Sequence, residues 1–441
     1  MVGSETAATR ELRSLDPSLG RRFVRLTNRV FVAAGYGVST FSFVVGDSGV
    51  VAVDAGGSPG TSAEAIAELR RHTDLPILGL VYTHGHLDHT HGATAFTDEN
   101  PAIEIWAIKP FGTEGRFLAR NGADIALQRS LRQFGNLLPP QKKINTGVAP
   151  SVVSGNTPVN VVPEPRIRPR KRFETDATIR LGGVTLAVSH NPGETDDQVL
   201  VWFEQDRVAF CGDNMYRSWP NLYAIRGTQY RDVRGWCEAI DRIRALDPHH
   251  LVMGHSLPIS GAAEVDEALE VYSRGLWGVY NATIEGINAG KTPDELAHEV
   301  RLPDDLADHP LLREYYGNVA WSVRAIFSGV LGWFDGNPAT LNPLHPGDRA
   351  RRIADLAGGA DVLFGEAAAA LAAGEAQWAA ELCDLLLALD SRSDEVRALK
   401  ADALDELARN MLTTTGRNYL HTYAEELRAS SVGERAAAAG R

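Results

Sequence analysis

Short apolar runs separated by polar, glycine-bearing breaks fill the first half of the chain. Phe23–Val32, Ser39–Val45 and Val50–Val53 are rich in valine and phenylalanine and predict strands. Ser62–His72 carries its apolar residues at helical intervals, and Ile77–Tyr82 reads as a buried strand. The pattern resumes at Ala177–Leu181, Val184–Val188, Val199–Phe203 and Arg207–Phe210, a second β-rich half that mirrors the first, and again at Leu251–Met253. Between the halves, Ser130–Arg172 holds Pro139, Pro140, Pro150, Pro158, Pro163, Pro165 and Pro169. It reads either as a long ordered insertion loop close to the functional site or as a plain surface connector, its basic stretch Arg166–Arg172 being a solvated face. Past Glu264, valine and isoleucine give way to Ala, Leu, Glu and Arg. Glu264–Ala289, Asp308–Ser328, Arg349–Ala357, Asp361–Ala373, Ala376–Leu389, Ser393–Asn410 and Tyr419–Arg428 all fit helices. No strict repeat is evident, so the expectation is an α/β part followed by an all-helical module rather than a solenoid.

Composition narrows the possibilities. A chain of 441 residues is too long for one ordinary domain. Its 44% hydrophobic and 23% charged residues suit a soluble globular protein. The net charge of −12 argues against nucleic acid or an anionic membrane as the main partner. Any anionic ligand must then meet a local positive site. Cys211, Cys237 and Cys383 lie far apart in the sequence and form no C-x-x-C pair, so reduced core thiols are expected rather than disulfides. Met1–Arg22 is polar, without the apolar stretch of a signal peptide, and no run approaches the ~18 apolar residues of a membrane span. A cytoplasmic location is the default expectation.

The chemistry concentrates in Thr83-His84-Gly85-His86-Leu87-Asp88-His89. Three imidazoles and a carboxylate within six positions are more than a packed core needs. A loop this dense in ligands can serve two neighbouring zinc-like ions, Lewis acids that make hydroxide at neutral pH. Further candidates follow strand-like runs beside glycine: His190-Asn191-Pro192-Gly193-Glu194, then Gly212-Asp213, then Gly254-His255. Either His190 or Glu194 could be the ligand of its loop. Asp54, closing the run Val50–Val53, reads as a support for the histidine loop.

In this order the motifs H-x-H-x-D-H, P-G-(ligand)-T, G-D and G-H resemble the metallo-β-lactamase fold over residues 23–260. A narrower resemblance lies inside it. Pro220-Asn221-Leu222-Tyr223-Ala224-Ile225-Arg226-Gly227, Arg231-Asp232, Tyr316-Gly317 and Gly332-Trp333-Phe334-Asp335-Gly336-Asn337-Pro338 are similar to the signature of the alkylsulfatase branch. The helical part, with Gly358-Gly359, Trp378 and Arg417-Asn418-Tyr419-Leu420, is similar to that branch's dimerisation domain.

The resemblance implies an αββα sandwich at 23–264, an α-helical dimerisation domain at 265–430, an N-terminal extension at 1–22 and a tail at 431–441. It implies two zinc ions, or other divalent metals. One is assigned to His84, His86 and Glu194, the other to Asp88, His89 and His255, with Asp213 bridging them. Two dipositive ions against three carboxylates and a bridging hydroxide make a neutral site. A separate cation must then hold an anionic substrate, and Arg226 is the candidate because guanidinium fits tetrahedral oxyanions. Asn221 and Tyr316 are carried over as substrate contacts, and Asp88, Asp213 and Arg226 as the residues of catalysis. The chain departs from the branch at Asp213, where glutamate is usual, at Thr195-Asp196-Asp197, and at His255-Ser256-Leu257-Pro258. The expected function is metal-dependent hydrolysis of a small anionic alkyl sulfate ester by a homodimer, through metal-bound hydroxide or an activated water. The same core could act instead on a phosphoester, lactone or β-lactam.

Overall fold

The valine-rich runs pair into two sheets. The computed structural model describes residues 5–122, 124–151 and 167–439. Its strands are β1 (Arg22–Arg25), β2 (Val30–Ala34), β3 (Phe41–Val45), β4 (Val50–Val53), β5 (Ile77–Val81), β6 (Glu104–Ile108), β7 (Lys171–Phe173), β8 (Asp176–Leu181), β9 (Val184–His190), β10 (Val199–Phe203), β11 (Val208–Phe210), β12 (His250–Val252) and β13 (Ile259–Ser260). The first sheet runs β1 to β7 in sequence order, antiparallel to β4 and parallel from there. The second runs β13-β12-β11-β10-β9-β8 and is antiparallel except between β11 and β12.

Alternation along each strand builds the layers. Val30, Val32, Val51 and Val53 pack with Leu186, Val188, Val199 and Val201, filling the space between the sheets. Phe31, Ala33, Val50 and Ala52 point the other way and pack with Ala65, Ile66, Leu69 and Phe96 from the helices Pro59–Leu69 and Ala93–Glu99. Strands buried on both faces read as unbroken apolar runs. Helices Val233–Ala245 and Ala262–Asn288 pack together, and the latter reaches β12 and β13. The result is an αββα sandwich.

The chain divides into two compact units. One comprises Leu12–Leu131 and Ile144–Trp333, and the other holds residues up to Glu11, Arg132–Lys143 and everything from Phe334. Composition changes near Glu264, but the compact division falls after Trp333. The intervening helices bury Val265, Leu269, Tyr272, Leu276 and Val279 and so belong with the sheets. The second unit is helical: Pro346–Ala357, Ala360–Ala372, Ala376–Ala388, Ser393–Asn410 and Thr414–Ala439. Its core mixes Leu363, Leu382, Leu386 and Val396 with a second cluster of Ala370, Ala379, Ala401, Ala403 and Ala424. Lys142 ties the segment Arg132–Lys143 to it through Asp405 (3.0 Å) and Glu425 (2.7 Å).

Several elements differ from their sequence reading. Phe23–Val32 is two strands, because the Thr27 hydroxyl accepts from the amides of Arg29 and Val30 and turns the chain. The helix expected from Asp308 begins at Val319, where the Asn318 side chain caps the Trp321 amide at 3.1 Å. A helix not anticipated, Pro293–Glu299, starts with a capping box between Thr292 and Glu295. The last helix extends past the expected tail boundary to Ala439. In the expected insertion loop, Ser130 ends up in helix Ile125–Gln133 and Lys171 opens β7, while 152–166, with Pro158, Pro163, Pro165 and Arg166, lie outside the described residues. The three cysteines are free and buried.

Candidate metal centre

Asp54 organises the loop that follows β5. It ends β4 with φ +61° and accepts from the Thr83 amide and hydroxyl, both at 2.8 Å. Its Oδ2 also lies 2.8 Å from His89 Nδ1. This carboxylate therefore fixes both ends of the histidine motif. With Nδ1 engaged, His89 turns Nε2 inward, the arrangement expected of a metal-ligating imidazole. His255 is oriented in the same way, since its Nδ1–H donates to the Val38 carbonyl at 2.7 Å.

Two groups of ligand atoms result. His84, His86, Glu194 and Asp213 form one, and Asp88, His89 and His255 the other, the atoms of each lying within 4.8 Å of one another. In the first, His86 Nδ1 is 3.0 Å from His84 Nε2 and 3.1 Å from Glu194 Oε2. Asp213 spans both groups: Oδ2 is 3.9 Å from His84 Nε2 and 3.0 Å from His255 Nε2, and Oδ1 is 3.3 Å from His89 Nε2. All seven residues are buried. The structure thus brings together every residue carried over as a ligand. His190 remains outside, exposed and bonded to the Asp196 carbonyl at 2.7 Å.

The unmet polar atoms of the donor set fit a metal. His89 Nε2, Glu194 Oε2 and Asp213 Oδ1 are buried without a hydrogen-bond partner among the described residues. Orphaned buried donors and acceptors are costly, and here they converge at one place. Imidazole and carboxylate ligands in this number suit a pair of zinc-like ions.

The substrate candidates lie close by with unexpected partners. Arg226 is 2% exposed and forms an ion pair with Glu114. Arg231, read from the sequence only as part of a signature, donates to Glu194 Oε1 and to the Asn221 carbonyl, both at 2.7 Å. Tyr316 is buried, its ring 5.4 Å from that of Tyr216. Tyr216 in turn donates to Asp213 Oδ2 at 3.2 Å. Burial raises the Tyr216 phenol well above its ordinary value, and the charge of Asp213 adds to the effect, so Tyr216 stays a proton donor. Sequence reasoning passed over Glu114 and Tyr216, since neither belongs to a motif.

An αββα sandwich with histidines and carboxylates clustered past the strand ends defines a class of metal-dependent hydrolase. Residues 35–255 match the metallo-beta-lactamase superfamily, and residues 292–430 match the alkyl sulfatase dimerisation family. The chain is 32% identical to a linear primary-alkylsulfatase from Pseudomonas sp., over 88% of this chain and 73% of the relative. It is 28% identical to the alkyl/aryl-sulfatase BDS1 of Saccharomyces cerevisiae, over 94% of this chain and 66% of that one. The solved structure of the stereoselective inverting sec-alkylsulfatase Pisa1 from Pseudomonas sp. superposes with a TM-score of 0.83 at 27% identity, covering 95% of this chain and 67% of that one. The chain belongs to the metallo-beta-lactamase superfamily and, within it, to the alkylsulfatases. It spans between 60% and 73% of the length of the two linear primary-alkylsulfatases it matches.

Proposed function

We propose that this protein is a dinuclear zinc hydrolase that splits alkyl sulfate esters into alcohol and sulfate. The observation that carries the reading is the placement of Arg231 against Glu194 of the first ligand group, with Arg226 beside it on Glu114, in a chain of alkylsulfatase ancestry. The seven ligands would hold two ions, which supply Lewis acidity and a water made nucleophilic at neutral pH. With the ions and one bound anion the centre is neutral. Arg226 and Arg231 set two guanidinium groups against the one carboxylate of Glu114, a local positive site that suits a sulfate monoester. Arg226 receives the sulfate oxygens in its forked geometry, with Asn221 and Tyr316 as neutral contacts. Asp88 would help hold the second ion and Asp213 would be shared by both, with the Tyr216 hydroxyl keeping the Asp213 carboxylate in place.

The test is sulfate release from a medium-chain alkyl sulfate by the zinc-loaded protein, with metal-stripped protein as control. Metal-dependent release is expected. No release from protein carrying two ions, with turnover of a lactone or phosphodiester, would overturn the reading.

The protein is also proposed to work as a homodimer. The match over 292–430 supports this. Sedimentation at several concentrations is expected to give twice the chain mass, and a constant monomer mass would end the proposal. Among the described residues no helix is long and apolar enough to cross a membrane.

A further inference from the structure

We infer that Glu114 is a positioning residue that couples the anion-binding arginines to the first group of metal ligands. Its carboxylate has a cation or donor at each oxygen. Oε1 pairs with Arg226 Nη2 and lies 3.6 Å from His86 Nε2. Oε2 accepts from the Thr228 hydroxyl at 2.9 Å and from Arg231 Nη2 at 3.3 Å. Arg231 then continues to Glu194 Oε1 at 2.7 Å. One buried side chain therefore stands a single contact from the sulfate clamp, one from the ligand His86, and two from the ligand Glu194.

The backbone beneath it is equally constrained. Glu114 is the second residue of helix Thr113–Arg120, which follows Gly112 at φ +71°. The Gly112 amide donates to Asp197 Oδ2 at 2.5 Å, and the Thr195 hydroxyl, next to Glu194, donates to Asp197 Oδ1 at 2.6 Å. A Cβ on Gly85 would come within 2.5 Å of Gly112 Cα, so the turn before Glu114 lies directly on the histidine loop. The Glu114 carboxylate faces two guanidinium groups, Arg226 at Oε1 and Arg231 at Oε2. Without this charge, Arg226 loses its anchor, His86 loses the acceptor facing its outer nitrogen, and Arg231 is left to Glu194 alone. Partners behind metal ligands typically carry ~10–100-fold in metal affinity or activity.

The substrate half of this inference rests on the sulfate-ester reading; the metal half does not. The experiment compares wild type with Glu114→Gln by cobalt(II) titration, following the visible absorption bands, and then by kcat and KM for the alkyl sulfate. We expect a changed cobalt spectrum, metal affinity lower by ~10–100-fold, and a fall in kcat of similar size. A cobalt spectrum and affinity equal to wild type would overturn the coupling even if no sulfate ester is ever turned over. Altered cobalt binding in a protein that splits no sulfate ester would leave the coupling standing and defeat the substrate reading instead. Thr228→Val removes one donor from the carboxylate without touching its charge and should move the spectrum in the same direction; it decides the matter if Glu114→Gln does not fold.

Discussion

Stripping the ions with a chelator is expected to abolish turnover and to lower the melting temperature, by a margin that widens as pH rises. The ion-free site is a buried cluster of carboxylates whose charge must be met by protons. Burial opposes a charge on His86, yet Glu194 and Glu114 push it up to about 10, from 6.5. Burial likewise opposes His89, but Asp213 and Asp88 raise it well above its ordinary value. In turn His89 and His255 overcome burial and hold Asp213 well below the usual carboxylate range. His84 is the exception, since burial keeps it neutral. Histidines whose folded values exceed the unfolded one stabilise the fold fully below about 6.5, and that stabilisation is lost as pH rises through about 10. The ion-free protein therefore weakens in alkali. Metal uptake displaces the same protons, so affinity strengthens over the same interval. Each site adds about 3 kcal/mol when free metal stands ~100-fold above its Kd. Scanning calorimetry of stripped and reloaded protein at pH 6.5 and pH 9 checks this. A gap that narrows toward pH 9 would mean that protons do not stand in for the ions.

Gly254→Ala is expected to be nearly as damaging although it removes no ligand. A Cβ at this position would sit 1.7 Å from Asp213 Oδ1. The neighbouring backbone cannot retreat easily. The Gly254 amide is bonded to the Gly212 carbonyl at 2.5 Å, and its own carbonyl accepts from the Thr40 amide at 2.7 Å. The carboxylate that spans both groups must swing aside, carrying away its contacts with His84, His89 and His255. Overpacking of this kind costs about 1–3 kcal/mol of stability. The larger effect is on the site: bound metal is expected to fall from two ions to one or none, and turnover by ~100-fold. Metal analysis of the folded variant, together with sulfate release, measures both. Two ions and unimpaired release would show that Asp213 does not bridge.

The contrast between these residues shows what could be read in advance. Val50–Val53, Val199–Phe203 and Ser393–Asn410 end in the structure where their patterns end in the sequence, because apolar runs bounded by turn and capping residues are local signals. The motif from His84 to His89 was equally plain, since its spacing alone sets four candidate ligands on one loop. Arg226 was visible through its signature, but not its partner: Glu114 is 112 residues away and sits in a helix without distinguishing pattern. Tyr216 is close to Asp213 in sequence, yet its bond to Asp213 depends on how the chain turns after β11. The unit boundary at Trp333 was hidden for a related reason. Composition registers helix against strand, whereas compactness depends on which helices bury their faces against the sheets.

By itself the sequence determined the strand and helix alphabet, the candidate ligand types, their order and the family, because periodicity, capping and residue spacing act over a few residues. Tertiary structure alone decided that Asp213 spans two groups, that Asp54 and Glu114 stand behind the histidines, and that the arginines reach the site already paired. Those are contacts between side chains far apart in the chain, and they form only when two sheets close over a buried cluster whose charges must be balanced within it.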